Sequence, residues 1–266
     1  MTAGAADLSP PLLGTDSAVA YLQARGVLGA GPMVARLLGG GVSNVVIAAG
    51  DDSTQVVVKQ ALARLRVADE WLAPPERAMT EADALAVAGE LTPGHVPRVL
   101  DRDPARHAIV VERAPRGWTD WKTAIFSGTV DPRVAATLGG VLARWHTGTA
   151  GPSALPTSLE GNVQFEMLRV DPYYRTVAAR APELQADVLA LVDQMAARRT
   201  CLVHGDFSPK NVLCGPGGLW VIDFEVAHRV LIHGVSSRER DCASVQCAAF
   251  DRCIFADCCL VVGPKG

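Results

Sequence analysis

The deciding stretch of this sequence is LVHGDFSPKNVLCGPGGLWVIDFE, residues 202–225. It carries Asp206, then Asn211, and then a Gly/Pro turn and an apolar strand that ends at Asp223. A carboxylate on a tight loop can accept the proton of a substrate hydroxyl, while an amide oxygen and a second carboxylate can ligate one divalent cation between phosphates. Each residue alone is compatible with a turn or cap role, but the three in this order indicate phosphoryl transfer.

The motif pair HGDxxxxN and IDFE resembles the catalytic and metal-binding loops of the aminoglycoside phosphotransferase and choline kinase superfamily, relatives of the protein kinases. The resemblance extends from about Arg36 to Ala227. It implies an α+β, two-lobed, protein-kinase-like fold with a small N-terminal antiparallel β lobe, one key helix and a mainly helical C-terminal lobe. It further implies that Asp206 is the catalytic base and that Asn211 and Asp223 bind Mg²⁺.

A kinase of this kind also needs a glycine-rich hairpin over the phosphates, a lysine on the following strand and a glutamate on a helix. The resemblance assigns the last two roles to Lys59 and Glu81, whose pairing would offset the cost of an ammonium among apolar neighbours. The hairpin would be formed by Gly39, Gly40, Gly41, Val42, Ser43 and Asn44.

The resemblance places the hinge, whose backbone binds adenine, at the end of the strand Ile109–Ala114, so that Glu112 and Ala114 are candidate nucleotide-binding residues. The segments KQALARLR and PPERAMTEADAL resemble the corresponding stretch of methylthioribose kinases, a branch of the same superfamily. The implied reaction transfers the γ-phosphate of ATP, or GTP, to a hydroxyl of an aminoglycoside, sugar or amino alcohol. The acceptor itself does not follow from the sequence, because one scaffold serves many substrates.

Several polar and aromatic residues near these motifs have more than one possible role. His204 can hold its loop by hydrogen bonds or take part in catalysis, and we favour the first. The cluster Tyr173–Arg175 can line a substrate pocket or pack before a helix, and we favour packing. The same alternatives stay open for Asp120 and Trp121.

The pattern of apolar residues and turn residues predicts the elements around these motifs. Short β-branched runs predict a hairpin and further strands, and apolar residues at helical spacing predict helices. The predicted helices cover 16–26, 76–90, a stretch that begins with Asp131-Pro132 and includes Trp145, and a stretch between 184 and 195. The expected organisation is an N-terminal nucleotide-binding lobe (1–112), a hinge (113–117), a helical catalytic lobe (118–228) and an atypical tail (229–266).

The tail departs from the superfamily, because the expected Gly-Asp-Pro turn is missing. Five of the seven cysteines lie between residues 242 and 259. We favour a frameshifted or truncated C-terminus over a divergent natural tail. A zinc site is disfavoured, since the cysteine spacing does not give paired CxxC motifs. The main alternative function is therefore a catalytically impaired, nucleotide-binding remnant of such a kinase.

The amino-acid composition argues against several other functional classes. A net charge of −3 argues against a nucleic-acid binder that relies on a basic surface, and 5% aromatic residues argue against stacking on single strands. Uncharged stretches are too short and too broken to span a bilayer, and the first residues lack a secretory signal. We therefore expect a cytoplasmic monomer or homodimer without membrane or nucleic-acid partners, and we disfavour a protein kinase because peptide-docking signatures are missing.

Overall fold

The strands and helices come from a computed structural model, which describes residues 11–39, 41–68, 70–151, 154–197 and 201–229, without the side chains of 196 and 197. The described residues form two compact units. Unit 1 comprises residues 11–82 and 99–113, and unit 2 comprises residues 83–98 and 114–229. Gly40 and the cysteine-rich segment 230–266 lie outside the described residues, so the expectations for them stay predictions.

Unit 1 is built on an antiparallel sheet with the strand order β1-β2-β3-β5-β4. Its elements are α1 (Thr15–Ala24), β1 (Val34–Leu37), β2 (Asn44–Gly50), β3 (Gln55–Ala61), the first turns of α2 (Arg77–Leu91), β4 (Val99–Asp103) and β5 (Ala108–Glu112). The predicted hairpin and further strands are present, and β3 continues to Ala61, two residues beyond Lys59. Strand β4 runs to Asp103, and a β-bulge between Val99 and Asp101 interrupts its pairing with β5.

Successive side chains along β3 alternate between the two faces of this sheet. Val56 and Val58 are buried and belong to the apolar core that also contains Ala18 and Leu22 of α1. Lys59 lies between Val46 of β2 and Ile109 of β5 in the register, on the opposite face. The period of two therefore directs the apolar side chains to the core and the lysine away from it.

Unit 2 combines helices with a small antiparallel sheet of order β6-β7-β8. Its helices include α3 (Trp121–Phe126), α4 (Pro132–Thr149), α5 (Val163–Phe165), a π-helical segment (Glu166–Arg175), α6 (Thr176–Arg180) and α7 (Gln185–Ala197). Its strands are β6 (Thr119–Asp120), β7 (Val212–Gly215) and β8 (Gly218–Val221).

Helix α4 forms as its sequence predicts. The Asp131 carboxylate accepts a hydrogen bond from the Arg133 amide at 2.9 Å, and Pro132 occupies the first turn. The buried face consists of Leu138, Val141, Leu142, Trp145, His146 and Thr149. The helix ends at Thr149, four residues beyond Trp145.

Helix α7 forms in the predicted stretch, but its apolar residues are buried only in part. The spacing of its apolar residues predicts one buried face. Leu184, just before the helix, and Leu191 are nevertheless 47% and 46% exposed, whereas Val192 is buried. None of the helices in the described ranges combines the length and hydropathy that a membrane crossing needs.

Candidate functional site

The loop that carries Asp206 is fixed at its start by backbone contacts within unit 2. Val203 exchanges hydrogen bonds with His228, with N···O distances of 3.0 and 3.1 Å. Gly205 follows with φ +79°, and a Cβ there would lie 2.6 Å from the carbonyl oxygen of Val226. The loop therefore needs glycine before Asp206 for both its backbone conformation and its close packing.

His204 holds this loop in the way the sequence analysis favoured. It is 1% exposed, and its Nε2 lies 3.0 Å from the Ile222 carbonyl oxygen. The Asp206 amide donates to Nδ1 at 3.2 Å, so the proton belongs on Nε2. Burial lowers the pKa of His204 below its ordinary value, which keeps the ring neutral.

The Asp206 carboxylate is surrounded by donors. Its Oδ2 accepts from Arg169 Nη2 at 2.7 Å, from Lys210 Nζ at 2.9 Å and from Asn211 Nδ2 at 3.0 Å. Burial alone would raise the pKa of Asp206, but the Arg169 and Lys210 charges outweigh it and hold that pKa below the usual value. Asp206 is thus an ionised, oriented carboxylate, 15% exposed at its side chain.

A hairpin brings the other two motif residues beside this loop. The short 3₁₀ turn Pro209–Asn211 leads directly into β7, which pairs with β8. The Ile222 amide donates to the Asn211 carbonyl at 2.9 Å, so that Asp223 follows immediately after a residue bonded to Asn211. Asp223 has φ +71°, a backbone conformation that is uncommon outside glycine and concentrated at functional sites.

The donor atoms of this hairpin suit a hard cation. Asn211 donates through Nδ2 to the backbone oxygen and Oδ2 of Asp206, and its amide oxygen takes no part in these two bonds. An amide oxygen and the Asp223 carboxylate match Mg²⁺, which keeps few protein ligands and completes its shell with water and phosphate oxygens. In the part of the chain that the structure describes, no group of three or more His, Cys, Asp or Glu side chains is arranged to hold a metal.

Unit 1 contains the expected ion pair. Lys59 Nζ lies 2.6 Å from Glu81 Oε1, and the two side chains are 13% and 3% exposed. Glu81 lies on the first turns of α2, within the part that belongs to unit 1. The predicted pairing is therefore confirmed, while its role toward a nucleotide stays a prediction.

The glycine-rich segment lies between β1 and β2, as predicted. Gly39 and Val42 are exposed, and Asn44 is buried at the start of β2. The Ser43 carbonyl accepts from the Leu62 amide at 2.9 Å and from the Arg77 guanidinium. The C-terminal side of the segment is thus anchored.

Arg77 is a fully buried arginine that the sequence analysis did not single out. Besides Ser43, it donates to the carbonyls of Leu62 at 3.0 Å and Pro74 at 3.0 Å. It lies one helical turn before Glu81 on α2. The guanidinium therefore ties the glycine-rich segment to the helix that carries the ion pair.

The proposed hinge residues follow β5. Glu112 is the last residue of that strand and pairs with Val56 in the register. Arg113 donates to the Gln55 side chain, and Ala114 is the first residue of unit 2 after this strand. Their proposed contacts with adenine stay predictions.

Arg169 is the functional candidate in unit 2 that sequence reasoning missed. It lies 37 residues before Asp206, on the π-helical segment that no apolar period indicates. Pro172 within this segment has no amide hydrogen to donate. π-Helical turns occur frequently at functional sites, but only the folded chain shows which side chain such a turn presents.

The structure also gives the positions of the other residues whose roles the sequence left open. Tyr173 is 58% exposed and lies within the helical run rather than before it. Arg175 pairs with Glu166 at 3.0 Å on the surface of that run. Asp120 caps α3 by accepting from the Thr123 amide at 2.8 Å, and Trp121 is buried.

Residues 34–229 match the phosphotransferase enzyme family (APH). The chain belongs to this family. The matched region ends at Arg229, whose buried side chain donates to the Gly151 carbonyl at 3.1 Å and pairs with Glu160.

Curated relatives of this phosphotransferase family member include methylthioribose kinases. The chain is 27% identical to the methylthioribose kinase of Yersinia enterocolitica over 216 residues, which cover 71% of the chain and 54% of that protein. It is 27% identical to methylthioribose kinase 1 of Oryza sativa over 246 residues, which cover 79% of the chain and 57% of that protein. The chain thus spans about half the length of these curated relatives.

Solved structures support the fold. A choline/ethanolamine kinase family protein from Mesorhizobium loti matches with a TM-score of 0.53 and 22% identity, over 81% of the chain and 66% of that protein. A thermostable mutant of an aminoglycoside phosphotransferase, in complex with AMP-PNP and hygromycin B, matches with a TM-score of 0.50 and 17% identity, over 79% and 71%. The α+β, protein-kinase-like fold that the sequence motifs implied is therefore confirmed.

Proposed function

We propose that this chain is an ATP-dependent small-molecule O-phosphotransferase, with GTP as the alternative donor. The observation that carries the proposal is the hydrogen-bonded set in unit 2. Asp206 is held by Asn211, and the Asn211 carbonyl is bonded to the residue that precedes Asp223. One base candidate and two candidate metal ligands are thereby joined on a single loop and hairpin.

The reaction requires one bond to form and one to break. The acceptor hydroxyl oxygen forms a bond to the γ-phosphorus, and the bond from that phosphorus to the β–γ bridging oxygen breaks to release ADP. Asp206 orients the hydroxyl and receives its proton, which then passes to water. Mg²⁺ held by Asn211 and Asp223 would neutralise charge on the phosphates.

The residues of unit 1 would bind the donor nucleotide. Lys59, oriented by Glu81, would hold the α- and β-phosphates, and the backbone of Gly39–Asn44 would cover them. Glu112 and Ala114 would offer backbone groups to the base. The salt bridge and the anchoring of Ser43 by Arg77 support this proposal, because both groups are preorganised.

The acceptor is proposed as a small molecule with a free hydroxyl. The names of the curated relatives make methylthioribose the first acceptor to test. Choline, homoserine and aminoglycosides are the comparison acceptors, since the superfamily acts on sugars, amino alcohols and antibiotics.

The decisive experiment measures phosphate transfer from γ-labelled ATP to this acceptor panel. Asp206→Asn should lower kcat by about 10²–10⁴-fold, because it removes a general base, and should leave nucleotide affinity nearly unchanged. Asp131→Asn is the matched control, since asparagine also caps a helix and Asp131 caps α4 and pairs with the exposed Arg133 side chain.

The outcomes separate the two functions that the sequence left open. Transfer that depends on Asp206 but not on Asp131 supports the phosphotransferase. If a nucleotide stabilises the protein against unfolding but no phosphate is transferred to any acceptor or to water, the result would instead support the impaired nucleotide-binding remnant.

A further inference from the structure

We propose that Arg169 is a positioning residue that holds the Asp206 carboxylate in the orientation required for transfer. The inference rests on the proposed function, since it takes Asp206 as the group that faces the acceptor hydroxyl. No feature of the sequence indicated Arg169, and its position becomes apparent only in the folded chain.

The two carboxylate oxygens of Asp206 differ in their hydrogen bonds. Arg169, Lys210 and Asn211 all donate to Oδ2, at 2.7, 2.9 and 3.0 Å. The other oxygen, Oδ1, takes no part in these bonds. A carboxylate fixed through one oxygen offers the other to a hydroxyl in a defined direction, and productive phosphoryl transfer depends mainly on such positioning.

Arg169 is better suited than Lys210 to fix this orientation. The Arg169 side chain is 17% exposed, whereas that of Lys210 is 54% exposed. A second guanidinium nitrogen of Arg169 donates to the Leu168 carbonyl at 2.7 Å, so both ends of its fork are engaged. A planar fork loses less freedom per hydrogen bond than a flexible ammonium, which makes Arg169 the rigid contact and Lys210 the adjustable one.

The backbone that carries Arg169 supports the same role. Leu168 and Val170, its neighbours on the π-helical segment, are each 1% exposed and anchor the segment in unit 2. The segment thus presents Arg169 from a packed support rather than from a mobile loop.

The first test compares two arginines of the same segment. Arg169→Ala should lower kcat by about 100-fold, with much less change in the KM for ATP, because misplacement of a reacting group by about 1 Å costs a factor of this size. Arg175→Ala removes the same charge from a site that contacts Glu166 and Asp171 instead, and it should leave kcat within about twofold. Equal losses for both variants would overturn the inference.

A chemical rescue separates positioning from general support of the fold. Guanidinium ion at millimolar concentration should restore part of the kcat of Arg169→Ala, whereas methylammonium at the same ionic strength should restore less. Failure of guanidinium to restore any activity to a folded Arg169→Ala protein would count against the proposal. If Arg169→Ala does not fold, Arg169→Lys provides the test, with kcat expected between those of the unaltered protein and Asp206→Asn.

A double-mutant cycle tests whether Arg169 acts through Asp206. In the Asp206→Asn background, Arg169→Ala should cause little further loss of kcat, because the carboxylate to be positioned is already gone. Additive losses would show that Arg169 acts elsewhere and would overturn the inference. If the unaltered protein transfers phosphate while Arg169→Ala matches it, only this inference fails; if the unaltered protein transfers none, the proposed function fails as well.

Discussion

At the scale of single residues, the buried ion pair of unit 1 allows a direct measurement. Glu81→Ala leaves the Lys59 ammonium without its 2.6 Å partner, and Lys59 is only 13% exposed. The expected loss of unfolding free energy is about 3 kcal/mol, the lower end of values for one partner removed from a buried pair. Urea denaturation measures it.

The control for this pair is an exposed one. Arg64 and Glu70 lie 3.5 Å apart with side chains 67% and 66% exposed. Glu70→Ala should therefore change the unfolding free energy by less than about 1 kcal/mol. If Glu70→Ala and Glu81→Ala lower the unfolding free energy by similar amounts, the Lys59–Glu81 pair is not energetically coupled by its burial.

A second residue-scale prediction concerns pH. Because burial lowers the pKa of His204 in the folded state, the unfolded chain binds a proton more readily than the folded chain. The contribution of the neutral His204 ring to the unfolding free energy is fully present above the pKa of the unfolded chain, about 6.5, and is lost as the pH falls below that pKa. Unfolding free energies between neutral pH and pH about 5 should fall less steeply for His204→Gln than for the unaltered protein.

At the scale of elements, the catalytic loop depends on Gly205. Gly205→Ala places a Cβ 2.6 Å from the Val226 carbonyl oxygen at a positive φ. Gly128→Ala has a similar φ of +85° but meets nothing within 4 Å. We expect a loss of about 1 kcal/mol for Gly128→Ala and a loss larger by about 1–3 kcal/mol for Gly205→Ala. Equal losses in thermal unfolding would show that the contact with Val226 relaxes freely.

Elements also show why periodicity predicts burial only in part. In α4 the apolar residues at helical spacing, such as Leu138 and Trp145, are buried as expected. Trp145 in addition donates through Nε1 to Thr92 Oγ1 at 2.7 Å, a contact across 53 positions that no local pattern encodes. In α7 a comparable pattern leaves Leu191 exposed, because burial needs a neighbouring surface as well as an amphipathic helix.

At the scale of the whole molecule, the proposed function predicts that nucleotide binding stabilises the chain. Mg²⁺·ADP at 100 times its Kd should add about 2.7 kcal/mol to the unfolding free energy and raise Tm. Asp223→Asn should remove the part of this shift that depends on Mg²⁺, because it removes a proposed ligand charge. Asp187→Asn, on the exposed start of α7, should leave the shift unchanged; a Mg²⁺-dependent shift that survives Asp223→Asn would contradict the metal assignment.

The sequence by itself determined the order of the motifs and the chemistry they can perform. Asp206, Asn211 and Asp223 follow one another within a short loop and hairpin, so local spacing was sufficient to predict their association. Lys59 and Glu81 were predictable as a pair because an isolated ammonium among apolar residues is costly and the family resemblance names its partner.

Only the tertiary structure decided the contacts between residues that are distant in sequence. Arg169 reaches Asp206 from a π-helical segment, and Arg77 joins Ser43 to α2 across 34 positions. Arg77 is buried and bonds backbone carbonyls, whereas Arg169 is partly buried and bonds a carboxylate and a backbone carbonyl. The physical reason is that such partners are fixed by the path of the whole chain, which periodicity and local propensity do not contain.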